Sequence, residues 1–161
     1  MFVMDDCVFC KIVKGELPAE VIWEDKKHIA FLSIFPNTEG FTVVATKKHL
    51  PSYPFENSDK VLTDLVIASK KTAKVLDNYF TDVGRCGMFF EGFGVDHIHS
   101  KLFPMHGTAD MAKWKPIESN MPEVYFDKYP GYLSSHNSKR ANDEKLSKLA
   151  EKIRKSVTRK K

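Results

Sequence analysis

Two histidines and a lysine stand at alternate positions, His97, His99 and Lys101, in the run Val95-Asp96-His97-Ile98-His99-Ser100-Lys101-Leu102-Phe103-Pro104-Met105-His106. Successive side chains of an extended strand point to opposite faces, so these three share one face, and Ile98, Ser100 and Leu102 share the other. Imidazoles two residues apart on a strand stand about 7 Å from one another. Imidazole titrates near neutrality and serves as nucleophile, base or metal ligand. The run Glu91-Gly92-Phe93-Gly94 before this stretch lets backbone come close to a ligand, since glycine has no Cβ to obstruct the approach. Near the start, Cys7 and Cys10 form a Cys-x2-Cys pair. Such a pair reads either as half of a metal site or as two buried thiols.

The elements that must position these residues follow from periodicity. A short helix is expected over 7–13, with Phe9, Ile12 and Val13 on its apolar side and Gly15 ending it. Strands are expected over 20–24, 28–34 and 41–46, with polar turns at 25–27 and 36–40. Ser58 is placed to cap a long helix in which Val61, Leu62, Leu65, Val66, Ala68, Ala73, Val75, Leu76 and Phe80 recur at three- and four-residue steps. Two further strands, 84–91 and 97–103, flank the glycine bend, and Cys86 in the first of them reads as a small buried apolar residue. Residues 113–135 carry prolines and aromatics with little periodicity, and Asn142 or Asp143 opens a final helix. The order β-β-β-α-β-β predicts an α+β fold, an antiparallel sheet of five or six strands under one main helix, with a C-terminal helical extension. The expected division is 1–106 and 107–161.

Three separated segments carry a family resemblance: Cys-Val-Phe-Cys-Lys-Ile-Val-Lys-Gly-Glu-Leu-Pro-Ala at 7–19, Ala-Phe-Leu-Ser-Ile-Phe-Pro-Asn-Thr-Glu-Gly-Phe-Thr-Val-Val-Ala-Thr-Lys-Lys-His at 30–49, and His-Ile-His-Ser-Lys-Leu-Phe-Pro at 97–104. In this order and spacing they resemble the histidine-triad (HIT) family of nucleotide hydrolases and transferases. The resemblance implies cleavage of a purine nucleotide phosphoramidate or dinucleoside polyphosphate at the α-phosphate. His99 would be the nucleophile that becomes nucleotidylated, with His97 and Lys101 completing the catalytic set. It implies that Phe9, Ile12, Phe31 and Ile34 wall the base, and that Ser33, Phe90, Gly92 and Gly94 fall at other substrate-binding positions. It implies a homodimer, and a structural zinc held by Cys7, Cys10, His49 and His97, a closed set of two thiolates and two imidazoles.

The chain also departs from the family pattern. Lys101 replaces the third histidine, keeping a donor and a charge but losing the ability to shuttle a proton near neutrality. Ser33 replaces the ribose-gripping aspartate, Phe90 replaces an asparagine, and the glycine loop is short and lacks a Gln-Ser pair. Asp96 beside His97 is an added carboxylate, placed either to orient an imidazole or to face solvent. These departures make a nucleotide-binding or sensing module with little catalysis the alternative expectation.

Composition narrows the remaining classes. The 161 residues carry 25 Lys and Arg against 21 Asp and Glu, but ten of the basic residues and only three of the acids lie in 138–161. The basic balance therefore belongs to the tail and is poor support for a nucleic-acid-binding core. RNA or anionic-membrane binding by that tail is a lesser alternative to docking of its apolar seam. Three cysteines do not make a secreted disulfide framework, no stretch is long and apolar enough to span a membrane, and the start lacks the pattern of a signal peptide. The cytoplasm is the expected location. His28, His106 and His136 are expected to be solvated or hydrogen-bonded.

Overall fold

Runs of β-branched and aromatic residues separated by polar turns give five strands, because each run alternates between two faces that both have something to pack against. The computed structural model describes residues 7–110, 125–128 and 144. Its elements are α1 (Val8–Val13), β1 (Val21–Glu24), β2 (His28–Leu32), β3 (Thr42–Thr46), a 3-10 turn (Pro54–Glu56), α2 (Asp59–Tyr79), β4 (Val83–Phe89) and β5 (His99–His106). The sheet order is β1-β2-β3-β5-β4, every neighbouring pair antiparallel. This is the α+β layer that the element order predicts. The chain divides into two compact units, Met1–Lys115 and Pro116–Lys161. In the second, 125–128 form an exposed bend and Glu144 is helical. The rest of the expected extension, including most of the final helix, the basic tail and His136, lies outside the described residues.

Alternation divides the core in two. Ala30, Val44, Ile98 and Leu102 face α2, where they meet Leu65, Ala68 and Leu76. Ile29, Phe31, Val43 and Ala45 face the other way and meet Phe9 of α1. The α2 helix is capped as its sequence requires, Val61 N donating to Ser58 Oγ. Its polar residues on the buried side are satisfied: Ser69 Oγ donates to Leu65 O at 2.8 Å and lies 2.6 Å from Ser100 Oγ. A hydroxyl has one proton, so Ser100 must be the donor to Ser69. Six residues of helix are marginal in isolation, and α1 is closed by Gly15 at φ 76°, with Gly15 N donating to Ile12 O and Glu16 N to Lys11 O.

Several boundaries differ from expectation: β2 ends at Leu32 rather than 34, β4 spans Val83–Phe89 rather than 84–91, and the last strand differs at both ends. The last strand begins at His99 rather than 97, because His97 N bonds to Val95 O and Ile98 N to Leu50 O before the ladder to β3 opens. It continues past 103 through Pro104 to His106, and Pro104 is tolerated because β3 pairs no further than Leu102, leaving β5 one-sided there.

Candidate active site and an adjoining metal centre

His99 enters the α1 face of the sheet from the start of β5, opposite Ala45 of β3. Its Nδ1 lies 2.7 Å from His97 O. A carbonyl only accepts, so Nδ1 carries the proton and the lone pair resides on Nε2, the tautomer a nucleophile needs. The Phe9 ring meets the imidazole edge-on at 5.1 Å, and Phe9 meets Phe31 at 5.4 Å. Burial pushes the His99 pKa below 6.5, reinforced by the charge of Lys101. The ring is neutral at physiological pH as a result. His99 is only 3% exposed, because Phe9 of α1 lies against its ring on this face of the sheet.

The side chain of His97 looks elsewhere. Nε2 lies 2.7 Å from Thr46 O, so the proton sits on Nε2 and Nδ1 is left to face sulfur. Nδ1 is 3.4 Å from Cys7 Sγ and 3.6 Å from Cys10 Sγ, while His49 Nδ1 is 3.4 Å from Cys10 Sγ. The four ligand atoms lie within 4.8 Å of one another. A tetrahedral zinc with ordinary Zn–S and Zn–N bonds has S···N edges of about 3.6 Å, so these separations and this tautomer fit that ion. Burial, together with the Cys7 thiol beside it, pushes the Cys10 thiol up to about 11, and a bound cation is what would make it a thiolate. With Nε2 held by Thr46 O and Nδ1 facing the thiols, His97 meets His99 through its backbone carbonyl and not through its imidazole.

The family model of the HIT domain matches residues 14–108, more than half of the chain. The chain belongs to the HIT family. It is 34% identical over 121 residues to an uncharacterized HIT-like protein of Methanocaldococcus jannaschii, covering 70% of this chain and 90% of that one. It is 32% identical over 147 residues to an adenosine 5'-monophosphoramidase of Schizosaccharomyces pombe, covering 89% of this chain and 98% of that one. Among solved structures, the histidine triad nucleotide-binding protein of Candida albicans superposes with a TM-score of 0.62 at 26% identity, covering 96% of this chain and 99% of that one.

Within this HIT domain the remaining expected residues scatter more widely. Phe9 and Phe31 are buried together and Ile12 packs beside them, but Ile34 is 82% exposed on the loop after β2. Ser33 closes that loop, its Oγ accepting from Phe35 N at 3.1 Å. Phe90 follows Phe89, which pairs with Lys101; one step on, it points to the opposite face and packs against the α2 core. That placement puts Phe90 on the opposite side of the sheet from the Phe9–Phe31 wall. Gly92 and Gly94 take φ of 71° and 88°, and a Cβ on Gly92 would lie 3.1 Å from Ser52 O. Asp96 accepts from Ser52 N at 3.0 Å, so it pins the glycine loop to the segment after β3 and does not orient an imidazole. Its pKa is pulled below the usual carboxylate range by that bond.

Lys101, expected to keep a donor and a charge in the place of the third histidine, donates from Nζ to Glu91 Oε1. Sequence reasoning missed Glu91; the signal was its place at the head of a tight glycine turn that folds it back toward the next strand. Thr46, which sets the His97 tautomer, carried no signal of its own. Of the other polar groups, His28 is buried with Nδ1 3.1 Å from Asp25 Oδ1. His106 bridges Asp82 and Glu39 O. Cys86 is half-buried, its thiol donating to Asp77 and pushed up to about 12 by burial. No helix among the described residues is long and apolar enough to cross a membrane.

Proposed function

We propose that the chain is a nucleotide hydrolase or nucleotidyl transferase acting on a purine nucleotide phosphoramidate or dinucleoside polyphosphate through a nucleotidyl-histidine on His99. The observation that carries this is the 2.7 Å bond from His99 Nδ1 to His97 O, which leaves an unprotonated Nε2 on the face shared with Phe9 and Lys101. The relatives named as adenosine 5'-monophosphoramidases support the substrate class. Nε2 attacks the α-phosphorus, the bond to the leaving amine or nucleotide breaks, and solvent water supplies the proton that a leaving amine carries away, since Lys101 does not shuttle one near neutrality. Water then attacks the same phosphorus, the P–N bond to His99 breaks, and the nucleotide leaves. In the adduct the ring is cationic, and the His97 carbonyl stabilises it through Nδ1–H. Lys101 and the backbone N–H groups around Gly92 and Gly94 supply donors to the phosphate oxygens.

Phe9, Ile12 and Phe31 form the wall for the base, with Ile34 at its open edge. Ser33 uses a lone pair on Phe35 N, and its hydroxyl proton remains available for a sugar oxygen. Cys7, Cys10, His49 and His97 would hold zinc with no open coordination position, so the ion would tie α1 to the sheet and take no part in bond-making. We also propose a homodimer, for which the edge position of β4 and the exposed Val66, Ile67 and Tyr79 on α2 provide a surface.

The test is incubation with adenosine 5'-monophosphoramidate, following AMP release and the mass of the protein. AMP release together with an adenylyl adduct that His99→Gln lacks is the expected result; neither product nor adduct would refute the mechanism. A second reading, a nucleotide-binding module with little catalysis, is favoured by the 3% exposure of His99. Calorimetric binding of AMP without hydrolysis of any donor would establish it instead.

A further inference from the structure

Lys101 leaves the sheet from a position that cannot shift. Its Cα pairs with Val43 of β3 on one side and Phe89 of β4 on the other. Val43 belongs to the α1-side core, so Lys101 points to the same face as His99. The backbone is rigid, but four methylenes separate Nζ from it. An ammonium on such a stem is a mobile point charge where an imidazole is a plane with few rotors. A donor that must meet developing charge without reorganising has to be held. Glu91 holds it: Nζ donates to Oε1, with side-chain exposures of 25% for the lysine and 16% for the glutamate. Those values set it apart from surface pairs, whose contribution solvent screens away.

The carboxylate is itself on a fixed support. Gly92, the next residue, lies against Ser52 O, and Asp96 at the far end of the loop accepts from Ser52 N. The loop carrying Glu91 thus passes close to Ser52 at Gly92 and is hydrogen-bonded to Ser52 N through Asp96.

We propose that Glu91 is the positioning residue of the phosphate site: its carboxylate takes one of the three N–H bonds of the Lys101 ammonium and leaves the other two for the phosphate beside His99. Resting on the nucleotide chemistry proposed above, this makes the pair, rather than the lysine alone, the replacement for the third imidazole. Two charges of opposite sign then face the incoming phosphate, and the consequences of removing each are unequal. Without Lys101, the Glu91 carboxylate stays beside the site and repels the phosphate. Without the Glu91 charge, the ammonium keeps its attraction for phosphate but loses its strong tether.

The experiment compares four variants of the full chain, Glu91→Gln, Glu91→Asp, Lys101→Met and Lys101→Met with Glu91→Gln. Steady-state hydrolysis of adenosine 5'-monophosphoramidate and calorimetric titration with AMP are the readouts. Glu91→Gln lowers kcat about tenfold with KM unchanged or reduced, because placement is lost and binding is not. Glu91→Asp, which keeps the charge on a shorter arm, falls between wild type and Glu91→Gln. Lys101→Met weakens AMP about tenfold or more, and adding Glu91→Gln restores most of that loss. A double variant that binds AMP no better than Lys101→Met, or a Glu91→Gln variant with wild-type kcat, overturns the inference while the nucleotide chemistry stands. A wild-type chain that neither binds AMP nor hydrolyses any donor refutes that chemistry, and this inference with it.

Discussion

His49→Ala tests whether the four-residue cluster ties α1 to the sheet. Cys7 and His97 are 90 residues apart in sequence, so an ion between them closes a loop of that length. Loop-closure entropy for such a cross-link is about 4 to 5 kcal/mol at 25 °C. In a domain of this size each kcal/mol moves Tm by roughly 4–8 °C, so losing the tie should lower Tm on the order of 15 °C or more. The same loss frees α1, and with it Phe9, which contacts His99 at 5.1 Å. KM for a nucleotide substrate should therefore rise as well. The assay is native mass spectrometry for zinc, followed by thermal unfolding of wild type and His49→Ala with and without a chelator. Wild type should carry one zinc and fall steeply in Tm on chelation, whereas His49→Ala should start low and barely respond. Absence of zinc from the wild type, or an equal chelator shift in both proteins, would refute the cross-link.

Two further outcomes probe the scaffold. Leu65 is fully buried between α2 and the sheet, so Leu65→Ala should cost about 2–5 kcal/mol in urea unfolding, and a loss well under 1 kcal/mol would contradict the packing. The pKa of His106 is raised above 6.5, because Glu39 O and then the Asp82 carboxylate accept from its two nitrogens. Its contribution is complete below the unfolded value and vanishes as pH rises through the folded one. The Tm gap between wild type and His106→Gln should accordingly be widest near pH 6 and close on the alkaline side; a gap independent of pH would show that no proton is involved.

Much of the domain was legible in the sequence. The alternation through His97, His99 and Lys101, the β-branched run of β3 and the three- and four-residue steps of α2 are set by residues close together in the chain, so they can be read without coordinates. Ser58 as the helix cap and Gly15 as the end of α1 are local for the same reason, and the structure has both. The placing of His99 beside Phe9 was legible through family resemblance, since no periodicity joins residue 9 to residue 99.

What tertiary structure decided are the relations between distant segments. His99 is buried because Phe9 of α1 folds over the start of its strand, which an alternating pattern cannot announce. The side taken by Phe90 depends on the register that sets Phe89 opposite Lys101, and register is fixed by pairing between strands. The meeting of Lys101 with Glu91, and the turning of His97 toward two thiols by Thr46 O, arise from charges and lone pairs brought together through space. Residue types and their spacing named the reactive groups. The fold chose which nitrogen of each imidazole keeps its lone pair and which carboxylate holds the ammonium, because hydrogen bonds are settled by position and not by order along the chain.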